Sequence, residues 1–170
     1  MENKKEKANE NSKIEETASI VEEATKEVDA QKINERLCSD FPIELIMKYN
    51  TDGIRLEIER VENIPGVLAH CKTKLFYGKK EYEYWEGQVG SWVAKRKDPF
   101  WQYNPERNAA LYHKVDGFGE EAVFIANTNQ LLILKEGIVY NITPPSNGRT
   151  TSSGKENKEI ALEIASYYNL

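Results

Sequence analysis

The sequence GIRLEIERVENIPGVLAHCKTKLFYG, residues 53–78, predicts two consecutive β-strands. In its first part, Ile54, Leu56 and Ile58 alternate with charged side chains, which is the period-two pattern of a strand with one buried face. The sequence NIPG predicts a turn, and the second strand runs from there to the glycine and lysines that follow Tyr77. This part of the chain therefore begins a β-sheet.

Further segments downstream predict more strands of the same sheet. EYEYWEGQVGSWVAKR, residues 81–96, is rich in β-forming aromatics, and we expect Gly87 and Gly90 to mark a bulge or bend. GFGEEAVFIAN at 117–127 predicts another strand. QLLILKEGIVYNIT at 130–143 predicts either one strand or a hairpin that turns at KEG.

The segment DFPIELIMKYN, residues 40–50, predicts the first helix of the folded region. Pro42 fits the first helical turn, where its missing N–H costs nothing. We expect Ile43, Ile46 and Met47 to face the core of the domain.

The strongest helix signal lies at the C-terminus. Ser153, followed three residues later by Glu156, predicts a capping box. The side chains that follow at helical spacing define one apolar face: Ile160, Ala161, Ile164, Ala165 and Tyr168. The order of elements predicts an α+β fold, in which an antiparallel sheet of about five or six strands carries an N-terminal and a C-terminal helix.

Residues 1–32 differ in composition from the rest of the chain. They hold six lysines and nine acidic residues, with no aromatic residue, proline or glycine. Such a segment buries too little apolar surface to order itself, so we predict a charged tether, disordered or weakly helical, before a single α+β domain at 33–170. The heptad spacing of Ile14, Val21 and Val28 leaves a partner-binding coiled coil open as an alternative.

Charge and hydropathy exclude several classes of function. The net charge of −5 argues against binding to the phosphate backbone of nucleic acid. The apolar runs fall far short of the roughly 20 residues that span a bilayer. No signal peptide follows Met1, so two locations compete: the cytoplasm, or the cell envelope after loss of a signal that preceded this sequence.

The chain has two cysteines, Cys38 and Cys71. Without a third cysteine or a Cys-x-x-Cys spacing, they suit neither zinc binding nor thioredoxin-like chemistry. We expect a disulfide, which would stabilise the fold by about 3–4 kcal/mol if it acts on the entropy of the unfolded chain. Two unrelated buried thiols are the main alternative, and redox or catalytic thiols are a third.

Five segments resemble small bacterial lipoproteins of the PsbP-like α+β fold: INERLCSDFP, AHCKTKLFY, VDGFGEEAVF, QLLILKEGIVYNIT and GKENKEIALEIASYYNL, which together span residues 33–170. In such proteins a cysteine near the first helix commonly pairs with one in an early strand. The resemblance implies an exported domain, in the periplasm or at the cell surface, tethered through a lipidated cysteine before Met1. It implies no catalytic residues.

No pattern of residues commits the chain to a reaction. His70 and His113 lack the spacing of a metal site. Neighbours along a strand point to opposite faces, so His70 and Cys71 would not pair, and at most one of Glu120 and Glu121 would enter a site. Turn geometry accounts for the glycines before these acids. We therefore predict no catalytic residue, no metal and no cofactor.

Aromatic side chains are the most suggestive feature for binding. The loop DPFWQYNPER, residues 98–107, is polar and contains two prolines, yet it carries Phe100, Trp101 and Tyr103. These side chains are candidates for a recognition surface for peptide, glycan or lipid. The alternative is that they fold back to cover the core or a sheet edge.

The hypothesis that combines these features is a monomeric, non-catalytic, extracytoplasmic binding or accessory domain. It would be lipid-anchored and would contact an unknown protein or cell-envelope component through its sheet face or the loop from Pro99 to Pro105. A cytosolic adaptor or protein-interaction domain is the alternative, and an uncharacterised enzyme comes third.

Overall fold

The computed structural model describes residues 30–170. Backbone contacts divide the chain between Lys32 and Ile33, and the unit from Ile33 to Leu170 contains the whole sheet. The predicted tether at 1–32, with its heptad spacing, lies outside the described residues except for its last three positions.

One antiparallel sheet of seven strands and three helices make up the described chain. Helix α1 comprises residues 30–39, α2 is Ile43–Tyr49 and α3 is Asn157–Tyr167. The strands are β1 Arg55–Arg60, β2 Val67–Phe76, β3 Tyr84–Val93, β4 Tyr112–Val115, β5 Glu121–Ile125, β6 Gln130–Lys135 and β7 Ile138–Thr143. They lie in the order β1-β2-β3-β7-β6-β5-β4 across the sheet.

The predicted α+β class is confirmed, with seven strands in place of five or six. QLLILKEGIVYNIT forms the hairpin of β6 and β7. The strand missed by the sequence analysis is β4, which has four residues and runs directly into Asp116 and Gly117. So short a segment beside turn-forming residues carries too little alternation to be told from a turn.

The register of the strands separates the two faces of the sheet, because paired positions share a face. One row crosses the sheet through Cys71, Val89, Ile142, Leu131, Phe124 and His113. Cys71 is bonded to Cys38 of α1, so this row lies on the side of the helices. The opposite side, called the outer face below, includes the row Gly90, Asn141, Leu132, Val123 and Lys114.

Helix α3 covers the helix side of β6 and β7. Its predicted apolar face is buried, since Ile160, Ala161, Ile164, Ala165 and Tyr168 are all 0% exposed. The Tyr168 hydroxyl donates a hydrogen bond of 3.0 Å to the carbonyl of Leu37. This contact joins the end of α3 to α1.

The start of α3 differs from the prediction, because the capping box pairs Glu156 with Glu159 and does not use Ser153. Thr150 and Glu156 are paired as in an antiparallel bridge, and Glu156 is still extended, with φ −70° and ψ 138°. The chain therefore completes a tight turn before it becomes helical at Asn157.

The N-terminal part of the core also differs in detail. Ile43 was expected to face the core but is 41% exposed, and Ile46 is the buried residue of α2. Phe41, just before this short helix, is buried in its place. Ile54 was expected on the buried face of the first strand, but it lies just before β1 and is 55% exposed, whereas the alternating apolar residues inside β1 are half-buried.

The two glycines of β3 sit in a regular ladder and do not mark a bulge. The register shift lies on the partner strand, between Val67 and Ala69. A Cβ atom at Gly87 would collide with the backbone of Thr143 and Pro145. Gly87 is therefore explained by the close approach of another backbone segment.

Candidate binding surface

The loop from β3 to β4, residues 94–111, connects an inner strand to an edge strand across the outer face. Phe100 is only 4% exposed and packs against a cluster of side chains from β5, β6 and β7: Val123, Ile125, Leu132 and Val139. β5 and β6 are buried on both faces, so their outer side needs an apolar cover. Phe100 therefore folds back on the sheet, as the alternative interpretation of this loop held.

The three aromatic residues proposed for recognition occupy different environments. Tyr103 is half-buried against the same cluster as Phe100, and its ring lies edge-on to that of Tyr112 at 5.6 Å. Trp101 is 47% exposed. Trp101 is thus the one of the three that the loop displays to solvent.

Hydrogen bonds hold the loop at both ends and inside. The N–H of Ala94 donates to Gly137 O at 2.8 Å, and the N–H of Ala126 donates to Leu111 O at 2.8 Å. Between them, the side-chain oxygen of Asn104 accepts the backbone N–H two residues later at 2.8 Å. These hydrogen bonds and the burial of Phe100 fix the segment of the loop that carries Trp101.

Two arginines lie against the Trp101 ring. The guanidinium carbon of Arg96 is 5.2 Å from the ring centroid, and that of Arg107 is 5.9 Å away. Both distances fall within the range of a cation–π contact. Neither guanidinium forms an ion pair with a carboxylate of the described residues. We call Trp101, Arg96 and Arg107 the Trp101 surface.

The loop is locally basic in an acidic chain. Residues 94–111 contain four basic side chains (Lys95, Arg96, Lys97 and Arg107) and two acidic ones (Asp98 and Glu106), so their charge is 4 − 2 = +2, against −5 for the chain. Neither arginine was recognisable as a site residue from the sequence alone. The run of three basic residues at 95–97, in the same loop as Trp101, was the signal for them.

The predicted disulfide is present between Cys38 and Cys71, whose Cα atoms are 5.5 Å apart. Cys71 is 0% exposed in the middle of β2. The bond ties α1 to the sheet. It also excludes, for this structure, the alternatives in which the two thiols are free.

The two histidines and Cys71, which were considered as possible catalytic or metal-binding groups, do not come together in the fold. His70 pairs with Gly90 on the outer face, whereas His113 lies on the helix side of β4, at the far edge of the sheet. Cys71 is committed to the disulfide. Among residues 30–170, no three potential metal ligands cluster together.

The two adjacent acids of GFGEEA have separate surroundings. The Glu120 carboxylate accepts the backbone N–H of Glu136 at 2.8 Å. Glu121 begins β5, where burial raises the pKa of its carboxyl group and the negative charge of Asp98 adds to the rise. Gly119 has a positive φ of 53°, as the predicted turn requires. Glu120 thus stabilises the turn between β6 and β7 through this hydrogen bond.

Comparison of the chain with protein-family models, curated proteins and solved structures finds no match. Across residues 30–170, none of the helices combines the length and apolar character needed to cross a bilayer.

Proposed function

We propose that residues 33–170 form a non-catalytic, extracytoplasmic binding domain, and that the Trp101 surface is its recognition site. The domain would be held at a membrane by a lipid anchor that precedes Met1, as the resemblance to PsbP-like lipoproteins implies. The observation that carries the proposal is an exposed tryptophan in contact with two arginines, neither of which is paired with a carboxylate of residues 30–170, on a loop anchored by Phe100.

The disulfide supports the location. Disulfides persist in oxidising compartments such as the periplasm and the cell surface, and are rare in the reducing cytosol. The Cys38–Cys71 bond is therefore easier to reconcile with export than with the cytosolic adaptor considered as the alternative.

The chemistry of the Trp101 surface favours an anionic partner, and we assign it to anionic lipid headgroups of the membrane that carries the anchor. Tryptophan prefers the membrane–water interface. Each lysine or arginine near an anionic surface contributes about 1 kcal/mol. A contact this weak becomes effective when a tether holds the domain close to its target. The loop would thus orient the domain on the membrane.

Vesicle binding tests this proposal. The purified chain is sedimented with vesicles of phosphatidylcholine alone and with vesicles that also contain phosphatidylglycerol. We expect binding to the phosphatidylglycerol vesicles alone, and we expect salt to weaken it because exposed charges are screened. Trp101→Ala and the double variant Arg96→Gln, Arg107→Gln should both reduce the bound fraction.

Tyr82→Ala is the matched control, because Tyr82 is a 69% exposed aromatic residue with Lys80 5.5 Å from its ring centroid. It should bind like the unmodified chain. If Trp101→Ala binds the phosphatidylglycerol vesicles as well as the unmodified chain does, the assignment of the Trp101 surface as the recognition site is wrong. Binding to envelope proteins without any binding to phosphatidylglycerol vesicles would overturn the assignment to lipid.

A further inference from the structure

A concave site lies on the other side of the sheet from the Trp101 surface. It is a cavity of about 220 Å³ between the β4–β5 edge, the loop before α3 and the first turn of α3. Its lining includes His113, Phe124, Asn129, Arg149, Glu156 and Lys158. Nothing in the proposed contact with lipid uses this cavity.

The cavity lining carries two cationic side chains, Arg149 and Lys158. Arg149 and Lys158 form no ion pair within the part of the chain that the structure describes. The single carboxylate of the lining, Glu156, is engaged in the capping box with Glu159. Two positive charges against one engaged negative charge favour an anionic ligand.

One wall of the cavity is apolar and aromatic. Phe124 is 4% exposed, and its ring centroid lies 6.2 Å from that of His113, with the planes inclined by 36°. The His113 ring is half-buried. A flat ring can pack against this pair while its charged end reaches the two cations.

The loop that carries Arg149 is fixed by two side-chain amides. Asn129 and Asn157 each donate from their side-chain nitrogen to the carbonyl of Gly148 at 2.7 Å. Asn157 is 0% exposed and also donates to the Ser146 hydroxyl at 2.6 Å. The backbone next to Arg149 is therefore held before any ligand arrives, which lowers the entropic cost of binding.

We propose that this cavity binds a small organic anion, a carboxylate or phosphate monoester joined to a flat ring. Arg149 and Lys158 bind the anionic group, and Phe124 with His113 contacts the ring. The volume is below the roughly 300–1,000 Å³ of pockets for drug-sized ligands, which limits the ligand to about the size of one substituted ring.

Titrations followed by ¹H–¹⁵N correlation spectra test this proposal. The probes are benzoate, phenyl phosphate, inorganic phosphate and benzamide, which is close to benzoate in shape but uncharged. We expect benzoate and phenyl phosphate to produce saturable shifts near Arg149 and Lys158. Benzamide and inorganic phosphate should bind at least about tenfold more weakly, because each lacks one of the two interactions.

Variants locate the site. Arg149→Gln together with Lys158→Gln should weaken phenyl phosphate binding by about tenfold or more. Lys114→Gln is the control, because Lys114 follows His113 in β4 but lies on the outer face, and it should leave binding unchanged.

Three results would overturn the proposal. One is the absence of saturable shifts with either ring anion, and another is equal binding of benzoate and benzamide. The third is binding of inorganic phosphate as tight as that of phenyl phosphate, which would indicate an adventitious ion only. The comparison of benzoate with benzamide needs no variant, so it holds even if a substitution disturbs folding.

Discussion

Phe100 and Trp101 are neighbours in sequence with opposite environments, one buried in the cluster under the loop and one half exposed to solvent. Phe100→Ala should therefore lower the free energy of unfolding by about 3–5 kcal/mol, through lost burial and the cavity that remains. Trp101→Ala should change it by less than about 1 kcal/mol. Urea unfolding followed by circular dichroism measures both values, and similar losses for the two variants would contradict the assignment of Phe100 as the anchor.

Tyr140 is 1% exposed, and burial raises the pKa of its hydroxyl to about 12, with a further contribution from the charge of Glu136. A phenol with a raised pKa stabilises the fold fully below about pH 10, its unfolded value, and this contribution is lost as pH rises through about 12. We expect the free energy of unfolding to fall between these pH values, with roughly 2 kcal/mol of the fall due to Tyr140.

The comparison of Tyr140→Phe with the exposed Tyr82→Phe isolates this effect. Urea unfolding at several alkaline pH values should show a shallower decline for Tyr140→Phe and an unchanged decline for Tyr82→Phe. A decline in Tyr140→Phe as steep as in the unmodified chain would show that the buried hydroxyl is not responsible.

Helix α3 begins at Asn157, with its capping box at Glu156 and Glu159. Glu156→Ala should therefore destabilise the fold by about 1 kcal/mol, the usual contribution of a helix cap. Ser153→Ala should cost less than about 0.5 kcal/mol, because Ser153 is exposed and lies outside the box. Thermal unfolding of the two variants distinguishes them, and a larger loss for Ser153→Ala would place the cap where the sequence suggested.

The elements that the sequence predicted well are those with sustained periodicity. The apolar face of α3 and the strands β2 and β6 were recognisable, because their patterns repeat over enough residues to exclude alternatives. β4 was not, because four residues contain too few repeats. Gly87 was misinterpreted, since its cause is the backbone of Thr143 and Pro145, more than fifty positions away.

The candidate sites were less predictable than the fold, because they depend on side chains that tertiary structure brings together. The sequence identified Trp101 as a candidate but not the arginines that lie against its ring. The cavity beside α3 combines Phe124, Arg149 and Lys158, which come from a strand, a loop and a helix. No local pattern relates such residues, so their proximity emerges only from the folded chain.

The Cys38–Cys71 bond connects α1 to the sheet. Because a disulfide persists only in an oxidising compartment, its contribution to the stability of the domain depends on where the protein is located. Replacing both cysteines with serine should lower the free energy of unfolding by about 3–4 kcal/mol, because the unfolded chain regains entropy. Chemical unfolding of the oxidised chain and of this double variant measures the difference. A difference below about 1 kcal/mol would mean that the bond contributes little to the fold.

The redox state of these two cysteines in the native cell distinguishes an extracytoplasmic location from a cytosolic one. Cells that produce the protein are lysed directly into denaturant that contains a thiol-alkylating reagent and no reductant, so that a free thiol buried in the fold, such as that of Cys71, also reacts, and the mass of the recovered chain is measured. We predict no alkylation before reduction and two alkylated cysteines after it. Two alkylated cysteines in the unreduced sample would contradict export and favour the cytosolic adaptor.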